Sequence, residues 1–291
     1  MDSTAHTSPH LRVLSVALST VMLCMVSGCA NSMFYYPDSL DHTRGLGPGL
    51  PHEDVYFNSK DGTRLHGWFM TSQVQPPKAT VVHFHGNAQN LSSHFLYSSW
   101  MPELGYNVLI FDYRGYGKSE GEINRKGAFQ DCEAALRYVK SREDVDPEKL
   151  LLFGQSLGGA HALAVMKSPD SEGVKGIVSE SAFYCYRDVG RHAASQVPVL
   201  GWFSYPLSFI MFSNTHSPKH SLKHIDDEII LYIHPQQDTV VPIEEFNKLY
   251  SETRDNAKFW VPKRIDHLAP YSYLPVKYIR NVSSFFDMAL E

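Results

Sequence analysis

The 291 residues carry 26 Lys+Arg against 31 Asp+Glu, a net charge of -5, with 43% hydrophobic residues and 4 cysteines. This balance excludes a disordered chain, a collagen-like rod and a disulfide scaffold. No five-residue window is crowded with Lys or Arg as a phosphate-tracking surface requires, so nucleic acid is not an expected partner.

In chain order, the first element is an apolar run at 13–26, preceded by Arg12 and followed by Ser27 and Gly28. It is too short to cross a bilayer as a helix and has the layout of a secretory signal core with a small-residue exit. Val26-Ser27-Gly28-Cys29 resembles the lipobox of bacterial lipoproteins. That resemblance implies that 1–28 is removed and that Cys29 is acylated. Each buried CH₂ contributes about 0.8 kcal/mol, so several acyl chains hold a protein firmly on a membrane. Ala30 rather than Asp follows Cys29, which in a Gram-negative cell implies the outer membrane, facing the periplasm. Cleavage also removes Cys24 and leaves Cys132 and Cys185 as the residues able to pair. Cys132 lies on an expected helix among apolar neighbours and reads more simply as a buried free thiol.

Residues 29–53 read as a linker and lead-in, rich in Pro, Gly and Asp around Phe34-Tyr35-Tyr36-Pro37. From 54 to 291 no domain boundary is visible. The pair 54–57 and 64–69 flanks Asp61-Gly62, a hairpin turn signal. Short apolar runs at 79–84, 107–111, 150–153, 174–179, 229–233 and 257–261 then alternate with helical patterns. Phe129, Cys132, Leu136 and Val139 mark one buried helix face between 126 and 142, and Val276, Ile279, Val282 and Phe286 mark another at the end of the chain. Such alternation predicts a mainly parallel sheet covered by helices on both faces.

Gly154-Gln155-Ser156-Leu157-Gly158-Gly159 follows the run at 150–153 and opens a helical segment at 160–167. Strand, sharp turn and helix are the setting of a nucleophile elbow, with Ser156 at its apex. The glycines two before and two after the serine let strand and helix approach. Upstream, Val82-His83-Phe84-His85-Gly86-Asn87 ends a strand and leads into a loop whose Asn87 N–H, with that of Leu157, is placed to face an oxyanion. His83 and His85 lack a third ligand group, so a metal is not expected.

A serine nucleophile needs a base that titrates near neutral pH. In the order nucleophile, acid, base, His267 after the run at 257–261 takes that place. Asp238, 29 residues earlier and just past 229–233, is the best acid to orient it. Glu180 after 174–179 is the alternative, while Asp266 is adjacent to His267 and would face the wrong way to orient it.

With Phe111-Asp112-Tyr113-Arg114-Gly115-Tyr116-Gly117-Lys118-Ser119-Glu120-Gly121 after the fourth sheet run, these motifs resemble the single-domain serine-hydrolase branch of the α/β-hydrolase superfamily. The resemblance covers 34–291 and implies an eight-stranded sheet with a short cap at 181–227, between strands 6 and 7. Pro235 and Asp266 stand where that branch commonly has Gly. Together with the lipobox at Cys29, it implies a membrane-anchored, cofactor-free monomer that cleaves small carboxylic esters or thioesters through an acyl-enzyme. A peptidase of the same fold and a non-catalytic binding lipoprotein are the alternatives. The apolar stretch 197–212 lines an acyl pocket, touches lipid, or packs as a crossover helix.

Overall fold

The computed structural model describes residues 34–44, 51–195, 213–225, 228–253 and 255–291. The signal segment 1–28, Cys29 and the apolar stretch 197–212 lie outside the described residues.

One sheet organises the chain, with strands β1 (Glu53–Asn58), β2 (Arg64–Met70), β3 (Ala79–Phe84), β4 (Tyr106–Phe111), β5 (Leu150–Gln155), β6 (Val174–Glu180), β7 (Ile229–Ile233) and β8 (Ala257–Trp260). The spatial order is β1-β2-β4-β3-β5-β6-β7-β8, and β2 alone runs against the direction of the other seven. This is the α/β-hydrolase fold. The hairpin turn forms as expected, with Gly62 at φ +88° and its N–H donated to Ser59 O.

Helices α1 (Arg125–Lys140), α2 (Leu157–Ala164), α3 (Tyr186–Ser195), α4 (Ile243–Thr253) and α5 (Pro275–Ala289) form the layers around the sheet. Strand alternation separates two cores. Val82, Phe84, Leu109, Leu152 and Ile177 meet Phe129, Cys132, Leu136 and Val139 of α1 on one face. Val81, Val108, Ile110, Leu151, Phe153 and Val178 meet Tyr278, Val282, Phe285 and Phe286 of α5 on the other. Because both faces are covered, the central strands are buried along their whole length and mostly apolar rather than alternating.

The register of α5 differs from the sequence expectation. Val276 is 80% exposed in the first turn, and Tyr278 and Phe285 take buried places instead. Cys132 and Cys185 are both buried and unbridged. Within the expected cap, α3 and the 3-10 turns Pro218–His220 and Leu222–His224 are described. The lead-in is docked rather than loose: Tyr36–Pro37 pairs in parallel with Ala88–Gln89, and Phe34 and Tyr35 are buried.

The order of the strands brings the ends of β3, β5, β7 and β8 to one edge, where the crossover direction changes between β3 and β5. Crevices of open parallel sheets form at that point.

Candidate active site

Ser156 follows β5 directly and has φ 53° and ψ -114°. Such a backbone costs about 1–3 kcal/mol for a side-chain-bearing residue and persists only where its surroundings fix it. Its N–H donates to Glu180 O at 2.8 Å, and its C=O accepts from Ala160 N–H at 3.1 Å. The flanking glycines are required by contact. A Cβ on Gly154 meets Gly158 O at 2.3 Å, and one on Gly158 meets Phe84 O at 1.9 Å and His85 O at 2.6 Å. α2 therefore starts against both its own strand and the end of β3.

Asp238 lies in the loop after β7 with a fully buried side chain, and His267 lies in the loop after β8. His267 Nδ1 is 2.7 Å from Asp238 Oδ2 and 2.9 Å from Oδ1. The carboxylate can only accept, so Nδ1 carries the proton and Nε2 presents a lone pair. Asp238 Oδ1 also accepts the N–H groups of Val240 and Val241 at 3.0 and 2.7 Å. Burial alone pushes this carboxyl up; the bond and charge of His267, with the Val241 N–H, overcome it and hold Asp238 below the usual carboxylate range. No hydrogen bond joins Ser156 Oγ to His267 Nε2, so the structure closes the acid-to-base contact and leaves the base-to-serine contact open.

Asp266 meets Thr239 and the His267 backbone, not the His267 ring. Its Oδ1 accepts Thr239 N–H at 2.9 Å and the Thr239 hydroxyl at 3.0 Å, and also the His267 N–H at 2.7 Å. The Asp that stands where glycine was expected thus ties the loop of Asp238 to the loop of His267. Sequence reasoning missed this role, and the departure from glycine was the available signal.

Asn87 is half-buried after Gly86, with its carbonyl accepting from Tyr36 N–H and the Tyr116 hydroxyl, each at 2.8 Å. Leu157 opens α2. Neither N–H takes part in the backbone hydrogen bonds of the surrounding turns and caps. Behind this loop, Asp112 Oδ1 accepts Leu91 N–H at 2.7 Å and lies 3.5 Å from His85 Nε2. His85 Nδ1 reaches Gly86 O at 2.7 Å.

Glu180, the alternative acid, makes no contact with His267 through hydrogen bonds. Its Oε2 accepts Gln155 Nε2–H at 3.0 Å and the Tyr278 hydroxyl at 2.6 Å. His83 bonds Ser98 Oγ and Gln155 Oε1, at 2.9 and 3.3 Å. Burial pushes its imidazole well below the usual range. No group of three or more His, Cys, Asp or Glu able to hold a metal occurs among the described residues.

Residues 75–229 match the family described as serine aminopeptidase, S33. YfhR of Escherichia coli O157:H7 is 36% identical over 260 residues, covering 88% of this chain and 87% of that protein. The chain belongs to this α/β-hydrolase family. An esterase of Pyrococcus furiosus superposes with a TM-score of 0.69 at 19% identity, covering 89% of this chain and 99% of its own. The esterase EaEST of Exiguobacterium antarcticum does so with a TM-score of 0.60 at 18% identity, covering 80% and 99%. At those identities the two structures speak for the fold of this family member.

Proposed function

We propose that this family member is a serine hydrolase of carboxylic esters and thioesters, held on a membrane by a lipid on Cys29. Ser156 Oγ attacks the acyl carbonyl while His267 Nε2 takes its proton, and Asp238 holds the imidazole and stabilises its charged form. The N–H groups of Asn87 and Leu157 stabilise the oxyanion, where one such donor is worth about 3 kcal/mol. Collapse of the tetrahedral intermediate expels the alcohol or thiol, which receives the proton from His267. Water then attacks the acyl-enzyme by the same route and releases the acid.

The observation that carries this reading is the 2.7 Å contact of His267 Nδ1 with a buried Asp238, which frees Nε2 to act as a base, in a chain whose Ser156 has a strained backbone. A series of p-nitrophenyl esters and acyl thioesters tests it. Turnover that disappears in Ser156→Ala supports the reading, and turnover kept by that variant refutes it. Palmitate incorporation and membrane pelleting, both lost in Cys29→Ser, test the anchor.

The family description favours a second reading, an aminopeptidase. Such an enzyme needs an anion to hold the substrate ammonium. Among the described residues, the acids around the triad are engaged, Asp238 with His267, Asp266 with Thr239, and Glu180 with Gln155 and Tyr278. Aminoacyl amides are therefore expected to turn over far more slowly than esters of equal acyl length.

A further inference from the structure

Glu180 is a carboxyl that the acyl-transfer steps do not use, and it is wholly buried at the end of β6. Its own carbonyl accepts the Ser156 N–H, so it sits directly behind the nucleophile. A directed chain of donors ends on it. His83 is neutral, and Gln155 presents its NH₂ to Glu180 and its carbonyl to His83 Nε2–H, which leaves His83 Nδ1 to accept from Ser98. Tyr278 of α5 adds a second donor to the same oxygen, Oε2, while Oε1 has no hydrogen-bond partner.

The segment that carries His267 closes over this network. Tyr97 donates to Leu268 O at 3.4 Å, and Tyr271 packs against both Tyr97 and Tyr278, with ring centroids 5.5 and 5.4 Å apart. The groups around Glu180 are Gln155 on β5, His83 behind it on β3, Tyr278 on α5, Tyr97, Asp238 after β7 and His267 after β8. Among the described residues, the leading charges acting on it are those of His267 and Asp238.

We propose that Glu180 is a positioning residue for the base, a second carboxyl whose negative charge favours the protonated imidazole that His267 becomes in the transition state. The proposal rests on the triad reading above. Burial pushes Glu180 up to about 7, against the donors Tyr278 and Gln155 and the charge of His267, which lower it; the charge of Asp238 opposes them. An imidazolium at His267 therefore favours the Glu180 carboxylate, and by reciprocity the carboxylate favours the imidazolium. Asp238 fixes the ring through Nδ1, and Glu180 acts through space.

The test is the pH profile of kcat/KM for p-nitrophenyl butyrate with the full chain, comparing wild type, Glu180→Gln and Tyr278→Phe. Glu180→Gln keeps an acceptor for both donors and removes the charge. It is expected to move the midpoint of the acid limb down by about half a pH unit or more and to lower the plateau several-fold. Tyr278→Phe keeps the carboxyl but makes it harder to ionise, so the midpoint moves the same way by less. A lowered plateau with an unmoved midpoint in both variants overturns the proposal, because loss of packing alone does not move a titration. If circular dichroism shows Glu180→Gln unfolded, the Tyr278→Phe midpoint decides alone. Failure of the triad reading looks different: Ser156→Ala then keeps wild-type turnover, and the Glu180 proposal falls with it.

Discussion

Asp266 and Thr239 join two loops that are far apart in sequence, through bonds of 2.9 and 3.0 Å to the Thr239 N–H and hydroxyl. The same carboxylate oxygen accepts the backbone N–H of His267 at 2.7 Å. Leu268 adopts φ +53° next to it, so the base rides on a tight turn that the Asp266 carboxylate fastens to the neighbouring loop. Asp266→Ala is expected to lower kcat/KM about tenfold, since a misplaced base weakens proton transfer in the transition state. Asp266→Asn keeps one acceptor oxygen and falls between. The thermal midpoint stays close to wild type in both, because the side chain is exposed; steady-state kinetics beside a melting curve checks this.

Gly158→Ala is predicted to be the most damaging single-methyl change in the site. Its Cβ meets Phe84 O at 1.9 Å and His85 O at 2.6 Å, and both are backbone atoms that cannot rotate away. A loss of about 3 kcal/mol or more in urea unfolding is expected, with reduced soluble yield.

Glu180 makes the fold itself sensitive to pH. Below its ordinary value of 4.5 the carboxyl is protonated in both folded and unfolded chains and contributes nothing to the difference. As the pH rises toward about 7 the unfolded chain releases the proton and the folded chain retains it, so folding loses stability over that window and the loss then levels off. Glu180→Gln removes this dependence. Its stability relative to wild type should rise by on the order of 3 kcal/mol between pH 4 and pH 8. Urea unfolding at the two values measures it, and a constant difference contradicts it.

Asp238→Asn keeps the size of the side chain but takes away the charge opposite the imidazole. The bonds from Val240 and Val241 hold the amide in place. Turnover is expected to fall about 10⁴-fold with little change in KM, the pattern of a lost transition-state interaction.

The sheet was legible because β3 to β7 are buried over nearly their whole length and read as short, mostly apolar runs. The elbow was legible because its glycines and serine are contiguous. The short helical turns at 91–104 were not, since Ser92, Ser93, His94, Ser98 and Ser99 interrupt their apolar residues. Nor was the face of α5. Tyr278 is buried there because its hydroxyl reaches Glu180, 98 residues away, while Val276 points to solvent. The Asp266 contact with Thr239 spans 27 residues and depends on the packing of β7 beside β8. Such partners follow from tertiary neighbours, which local pattern does not encode.

The most direct test of an activated serine is labelling of the detergent-solubilised full chain with a fluorophosphonate probe, beside Ser156→Ala and His267→Ala. The account predicts rapid labelling of wild type, none of Ser156→Ala, and a rate reduced about 10⁴-fold or more in His267→Ala. A folded wild type that stays unlabelled, or Ser156→Ala labelled as fast as wild type, would contradict it.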